Sequence, residues 1–564
     1  MIPFRKKISM ELKIKYPYLF KKNSDWEEHL RYLWERDMAD LIKNTISLKQ
    51  RKRILFYTPM TSWMKTVFEY FLAANLRLKG HDVLFALCDG KLLHCEMERA
   101  TFSRPTCEDC SALGRYRFDI FNHPAIWLSE KFDVNKITEL NQRIMSMPLS
   151  DLLNYKIEGY EVGKEAFEYL TVYYHGMVRK ESINLEIERV LRRVAAGNLI
   201  SYEFARIVIE KFNPDTVYVF NGKLATVAPA YFLARSQGRN VVTWEDYPPY
   251  QDSYIFAEGS PGIYGEIPGS VWLEEKDILT KAQERKAKKF LNNWQSGLIG
   301  DFIYHEEAQN SSSAKKKLNL NPDLPLLVAF TNVVWDSSSL GRDVGFESMA
   351  HWIFSLIRWA VLHQEKQVAI RVHPAESKVP ESYKTTSSVV SLIEKEFGKE
   401  LPDNIRIIDS SENINSYALS EAADIIMVYT TSLGYELAAL GRRVWVSGLV
   451  HYKGHGFTSD IEDAEHQSQI LNDEQTWQKR FLTEEEIKLA KKYVYMRHYK
   501  QITRIPYLHR DEAEFKKRPF FRNLKFLKDD PLINDITDRM INQEHFYGLR
   551  VSSRIKFKLL PIPE

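Results

Sequence analysis

The sequence predicts an α/β protein: two Rossmann-like domains facing a central cleft, followed by a C-terminal helical segment. Three observations lead there. Short β-rich runs alternate with helical periodicity from residue 53 onward, a polar stretch interrupts them at residues 301–323, and the same alternation then resumes. Strands separated by helices in this way form parallel sheets, with ligands at the strand C-terminal ends.

The elements follow in order. Residues 1–50 read as an N-terminal helical extension. Their start, "MIPFRKKISMELKIKYPYLFKKN", is basic but lacks the apolar core and cleavage site of a signal peptide, so a cytoplasmic protein is expected. Each Lys or Arg near an anionic bilayer contributes ~1 kcal/mol, which makes this start a candidate for peripheral inner-membrane contact; a solvated helix is the alternative. Residues 51–300 form the first domain. "RILFYTP" is a strand, "TSWMKTVFEYFLAANLRLKG" a helix ending at Gly80, and "HDVLFALC" a second strand. The grammar repeats in "DTVYVF", "NGKLATVAPAYFLARSQG" and "NVVTWEDY". No G-x-G-x-x-G follows the first strand, so the dinucleotide fingerprint is missing.

Residues 301–475 form the second domain. Its strands are "LPLLVAFTN", "QVAIRVHP", "IRIIDS", "DIIMVY" and "RRVWVSG", and residues 476–564 are the C-terminal helical segment. A hydrophobic content of 44% suffices for two cores. With 78 basic against 75 acidic residues the net charge is +3, which gives no reason to expect a nucleic-acid partner. No run approaches the ~20 apolar residues that span a bilayer.

Three strand-end turns in the second domain carry the sharpest chemistry. In "AIRVHPAE", the dipeptide His373-Pro374 must turn the chain, holding an imidazole at the crevice beside Arg371 and Glu376. In "DIIMVYTTSLGYELAALG", Tyr429, Thr430, Thr431 and Ser432 end a strand where a helix begins, and hydroxyls with unsatisfied N–H groups suit an anion. Glu436, one turn on, suits ribose hydroxyls. In "VWVSGLVHYKGHGFTSD", His451, His455 and Lys453 suit a phosphate or sugar. Each has an ordinary structural alternative: a strand-end His, an N-cap, a solvent-facing carboxylate.

These segments, with "NINSYALSEAADIIMVYTTSLGYELAALGRRVWVSG" between the first and last, resemble the capsule polysaccharide biosynthesis proteins, a family that includes bacterial Kdo transferases. The match spans residues 367–460, with a looser echo in "FNGKLATVAPAYFLARSQGRNVVTWEDY". The resemblance implies a GT-B fold and glycosyl transfer from a nucleotide-activated donor, CMP-Kdo-like or a UDP- or GDP-sugar, to a growing capsule or lipopolysaccharide glycan or glycolipid. It places His373 and the Thr431/Ser432 turn on the donor phosphates and Glu436 near the ribose. Val372 stands where the family more often has proline. A similar His-Pro turn occurs in CDP-glycerol glycerophosphotransferases, which keeps that reaction, or a non-catalytic scaffold, as the alternative.

The first domain should then hold the acceptor and a carboxylate base. Glu245 and Asp246 end a strand before Pro248; neighbours on a strand face opposite sides, so one of them is expected at the cleft. Asn221, Gly222, Thr61, Ser62 and Asp336 are further cleft candidates. No strand-terminal D-x-D is present, so no catalytic metal is expected.

All four cysteines lie in "CDGKLLHCEMERATFSRPTCEDC" as C-x₆-C-x₁₁-C-x₂-C. In a cytosolic protein, Cys88, Cys95, Cys107 and Cys110 suggest a structural zinc; reduced thiols and a disulfide are the alternatives.

Overall fold

The computed structural model describes residues 26–43, 45, 50–61, 65–96, 98, 107–247, 252–275, 278–296, 310–379, 385–505 and 523–550. The basic N-terminal stretch and Ser62 lie outside the described residues.

In the first lobe the strands are β1 (Arg53–Thr58), β2 (Asp82–Leu87), β3 (Ala125–Trp127), β4 (Thr216–Phe220), β5 (Asn240–Asp246) and β6 (Ser253–Glu258). They lie side by side in the order β6-β5-β4-β1-β2-β3, parallel except for β6. β1 and β4 are buried along nearly their whole length, which is why they read as unbroken apolar runs rather than alternating ones. The helix Thr66–Leu78 returns from β1 to β2. The 28-residue helix Leu185–Phe212 leads into β4, started by Asn184, whose side chain accepts the Glu186 and Ile187 N–H groups.

The second lobe repeats this frame. Its strands are β7 (Leu326–Phe330), β8 (Gln367–Arg371), β9 (Ile405–Ile408), β10 (Ile425–Val428), β11 (Trp445–Val446) and β12 (Ser459–Asp460). They run in the order β12-β11-β10-β7-β8-β9, all parallel. In both sheets the first and fourth strands are neighbours, so the connections diverge there and leave a crevice at the strand C-terminal ends.

The chain crosses between lobes twice. Ile267, Leu279, Phe290 and Leu291, assigned from sequence to the first domain, bury in the second-lobe core. The helix Glu484–Met496 also packs there, passes through a π-turn at Arg497–Gln501, and delivers β13 (Thr503–Arg504) antiparallel to β6 of the first sheet. From there the chain stays with the first lobe. Leu524, Leu532, Ile536 and Phe546 join its core, and the helix Pro531–Asn542 is tied to Thr66–Leu78 by Asn75–Asn534 and Lys79–Asp538. The segment 476–564 is thus shared between lobes. Periodicity fixes that a helix is amphipathic but not which sheet covers it.

Candidate functional site

The two crevices meet across the loop that follows β7. Tyr264 Oη donates to the Leu340 carbonyl at 2.7 Å, and the Arg342 guanidinium lies 3.5 Å over the Tyr264 ring and 2.8 Å from Glu266. A Cβ on Gly341 would sit 3.2 Å from Lys223 Cε, just past the end of β4. On the other flank the His175 ring stacks on Trp335 at 4.8 Å, and the Thr386 N–H donates to the His175 carbonyl. Gly176 is required there, since a Cβ would come within 2.7 Å of Thr386 Oγ1. The residues between these contacts form the candidate site.

At the second-lobe edge, His373 ends β8. Its backbone N–H donates to Thr331 Oγ1 at 3.0 Å, and its Nδ1 accepts the Ala375 N–H at 3.1 Å. With Nδ1 an acceptor, the proton of the neutral ring sits on Nε2. Pro374 opens the single 3₁₀ turn that this bond caps. Arg371 does not reach the crevice. It is buried and donates to the carbonyls of Asp409 and Glu412 at 2.6 and 3.1 Å, pinning the loop after β9; burial pulls its guanidinium down to about 10. Glu376 is buried too, its Oε2 accepting the Val389 N–H at 3.2 Å while Oε1 has no partner among the described residues. Burial pushes it up to about 8, so it is a neutral acid at pH 7.

The β10 turn divides the same way. Thr430 is half-buried, but its hydroxyl oxygen is shielded from solvent and has no hydrogen-bond partner among the described residues, whereas Thr431 Oγ1 accepts the Leu433 N–H and the Thr431 carbonyl accepts from Tyr452 Oη. Glu436, expected near a ribose or in solvent, is buried instead. Its carboxylate accepts from Tyr417 Oη at 2.5 Å and from Ser432 Oγ at 3.0 Å, and burial raises its pKa against those bonds. Ser432 is thereby engaged as well. His451 bonds Tyr493 Oη through Nδ1 at 2.5 Å; burial, with Arg497 adding to it, holds its pKa well below the usual range. Lys453 Nζ reaches the Ile461 carbonyl at 3.4 Å. His451 belongs to a packed aromatic cluster with Tyr435, Tyr452 and Tyr493.

Sequence reasoning missed Asp343. It follows Gly341 and Arg342 in the loop between the lobes and accepts from Tyr429 Oη at 2.5 Å. The residue is exposed as a whole, but its carboxyl end is desolvated, which pushes it up to about 6. The Gly-Arg-Asp turn after a buried strand was the available signal.

At the first-lobe edge both predicted carboxylates are present. Glu245 is buried and accepts from Asn221 Nδ2 at 2.6 Å; Asp246, on the opposite face of β5, is ion-paired with Lys65. Asn221 is a positioning residue. It sits in the left-handed region (φ 61°), and its Oδ1 accepts the Lys223 and Leu224 N–H groups at 2.9 and 3.0 Å. Gly222 completes that turn at φ 87°. Thr61 is buried and donates to the Cys88 carbonyl at 3.3 Å, so its hydroxyl is engaged within the lobe, and exposed Asp336 caps a short 3₁₀ turn through the Ser338 N–H. A second missed acid, Glu69, lies behind β5: Thr58 Oγ1 and Trp244 Nε1 donate to it, and burial pushes it up to about 7.

Among the described residues no group of three or more His, Cys, Asp or Glu converges to hold a metal ion, and no disulfide links the cysteines. Cys88 ends β2 with its sulfur accepting the Gly90 N–H at 3.3 Å, and burial pushes its thiol up to about 11. Cys107 and Cys110 lie in the first turn of the helix Cys107–Phe121. The long x₁₁ interval spans residues 96–106, most of which are outside the described residues.

No family model matches the sequence, and no curated protein does. Solved structures do match. Thermosulfurimonas dismutans KpsC, a beta Kdo 2,4 transferase, is 16% identical, over 55% of this chain and 86% of that one, with a TM-score of 0.30. The UDP-GlcNAc 2-epimerase from Neisseria meningitidis bound to UDP-GlcNAc is 11% identical, over 79% and 98%, at 0.24. The spinosyn rhamnosyltransferase SpnG complexed with spinosyn aglycone is 11% identical, over 79% and 95%, at 0.22. At these TM-scores the matches carry no argument; the two α/β lobes, each on a mainly parallel sheet, stand on the structure itself, and the chemistry has to be argued from the residues. Among the described residues no helix is long and apolar enough to cross a membrane.

Proposed function

We propose that the chain is a glycosyltransferase that moves a sugar from a nucleotide-activated donor, CMP-Kdo-like or a UDP- or GDP-sugar, to a hydroxyl of a bacterial capsule or lipopolysaccharide glycan. The observation that carries this reading is the tautomer-fixed His373. With Nδ1 accepting a backbone N–H, the proton of the neutral ring is on Nε2, and such a donor just past β8 suits the phosphate oxygen released when the glycosidic bond to the donor breaks. On the facing edge Glu245, oriented by Asn221, takes the proton of the acceptor hydroxyl as its oxygen attacks the anomeric carbon. Asp246 is assigned no such role, because Lys65 neutralises it.

The test is a panel of CMP-, UDP-, GDP- and CDP-activated donors against the purified chain. One donor class is expected to raise the melting temperature and to be turned over to a glycoside. A ligand at ~100 times its Kd adds ~2.7 kcal/mol of stability. A product that gains phosphorus from CDP-glycerol would replace this reading with phosphoglycerol transfer. No protection by any nucleotide would leave a scaffold.

A further inference from the structure

The segment that crosses from the first lobe to the second carries a surface that the proposed chemistry does not use. In the helix Lys281–Gln295, Ala287, Phe290 and Leu291 are buried against the second lobe. At 100° per residue the opposite face presents Lys281, Arg285, Lys288 and Lys289, with Lys286 beside them. None of Lys281, Arg285, Lys288 and Lys289 has a carboxylate partner among the described residues; Lys286 lies 5.7 Å from the Tyr499 ring centroid. On the neighbouring helix Glu485, with Glu484 and then Glu284 at the edge of this face adding to it, raises the pKa of Lys488. Just before this helix stand two of the most exposed large apolar side chains of the protein, Leu273 at 82% and Ile278 at 74%. They are held out by a pinned backbone: Lys492 Nζ donates to the carbonyls of Trp272 and Glu275, both at 2.8 Å, while lying 4.0 Å from the Trp272 ring centroid.

We propose that this face, Leu273 and Ile278 with the basic side of Lys281–Gln295, docks the protein on an anionic lipid surface. Four unpaired cations on one helix face favour acidic headgroups, and exposed Leu and Ile favour the acyl boundary beneath them. The apolar pair is what selects a bilayer over a nucleic acid or an acidic protein, for which charge alone would suffice. The role is independent of donor chemistry: it brings a lobe with no membrane-spanning helix among its described residues to a membrane-borne acceptor.

Co-sedimentation of the full chain with vesicles of phosphatidylcholine, with and without phosphatidylglycerol, tests it. Binding is expected only with phosphatidylglycerol and is expected to fall with salt. The triple variant Arg285→Gln/Lys288→Gln/Lys289→Gln should lose ~100-fold in partitioning, about fivefold per charge near an anionic surface. Leu273→Ser/Ile278→Ser should weaken binding at unchanged net charge, and both variants should keep the wild-type melting temperature because every replaced side chain faces outward. Equal binding by wild type and triple variant would overturn the proposal, as would no binding to either vesicle. Loss of vesicle binding to an excess of RNA, with the Ser variant unaffected, would assign the face to a polyanion instead.

Discussion

The two cleft edges are built on the same strand order yet use their polar residues differently. At the first-lobe edge, side chains bind side chains: Glu245 with Asn221, Asp246 with Lys65, Glu69 with Thr58 and Trp244. At the second-lobe edge, side chains mostly bind backbone: Arg371 holds two carbonyls, His373 caps its own turn, and Thr331 takes the His373 N–H. One edge therefore matches its carboxylates with side-chain donors, and the other spends its polar groups on shaping the turns. Within the second edge, residues two apart have opposite duties, so proximity in a motif says little about who touches a ligand.

The largest expected effect breaks the first edge. Glu245→Gln keeps the size of the side chain and one acceptor but removes the base, and should lower kcat by ~10²–10⁴-fold. Donor affinity and melting temperature should hold. Asp246→Asn should cost much less in kcat, since its charge is already matched by Lys65. If the two variants exchange these outcomes, Asp246 is the base and the Lys65 pair opens in the complex.

A second, smaller contrast sharpens the other edge. Arg371→Met leaves two buried carbonyls without donors, each costing ~1–3 kcal/mol, and should lower the melting temperature while the folded fraction binds donor normally. His373→Ala should do the reverse: a lost bond to a charged group is worth ~1.5–3 kcal/mol, or roughly ten- to a hundredfold in donor affinity, with stability little changed. Both are read on the same samples by nucleotide titration and thermal melting. A His373 variant that melts early and binds normally would make it a turn residue like Arg371.

Much of the fold was legible because buried parallel strands announce themselves. "RILFYT", "TVYVF", "LLVAF" and "QVAIR" are near-continuous apolar runs, each ending in a polar turn, and those turns lie at the crevice. What remained hidden depends on tertiary pairing. Tyr429 meets Asp343 across 86 residues, and Asn221 meets Glu245 across 24. Glu436 looks like a surface carboxylate on a short helix; Tyr417 and Ser432 make it a buried acceptor. The C-terminal return to the first lobe was equally invisible, because Asn75 and Lys79 name no partner until Asn534 and Asp538 are folded against them.

The smallest effect is expected at the cysteines, and it bears on the same distinction between residues that build and residues that bind. The spacing alone calls for about one zinc per chain, with a large loss of stability when two ligands go. Against it we set the alternative of reduced thiols, since no metal-holding group forms among the described residues. Cys107→Ser/Cys110→Ser replaces half-buried thiols on a helical turn and should change stability by ~0.5 kcal/mol or less. Elemental analysis of protein purified under reducing conditions should find well under one zinc. Cys88 separates the cases further. Its thiol, pushed up to about 11 by burial, should react with alkylating agents far more slowly than the other three at pH 8 and equally with them once the chain is unfolded. A stoichiometric zinc that departs with the Cys107/Cys110 pair, and a protein that melts without it, would mean that residues 97–106 draw the four sulfurs together after all.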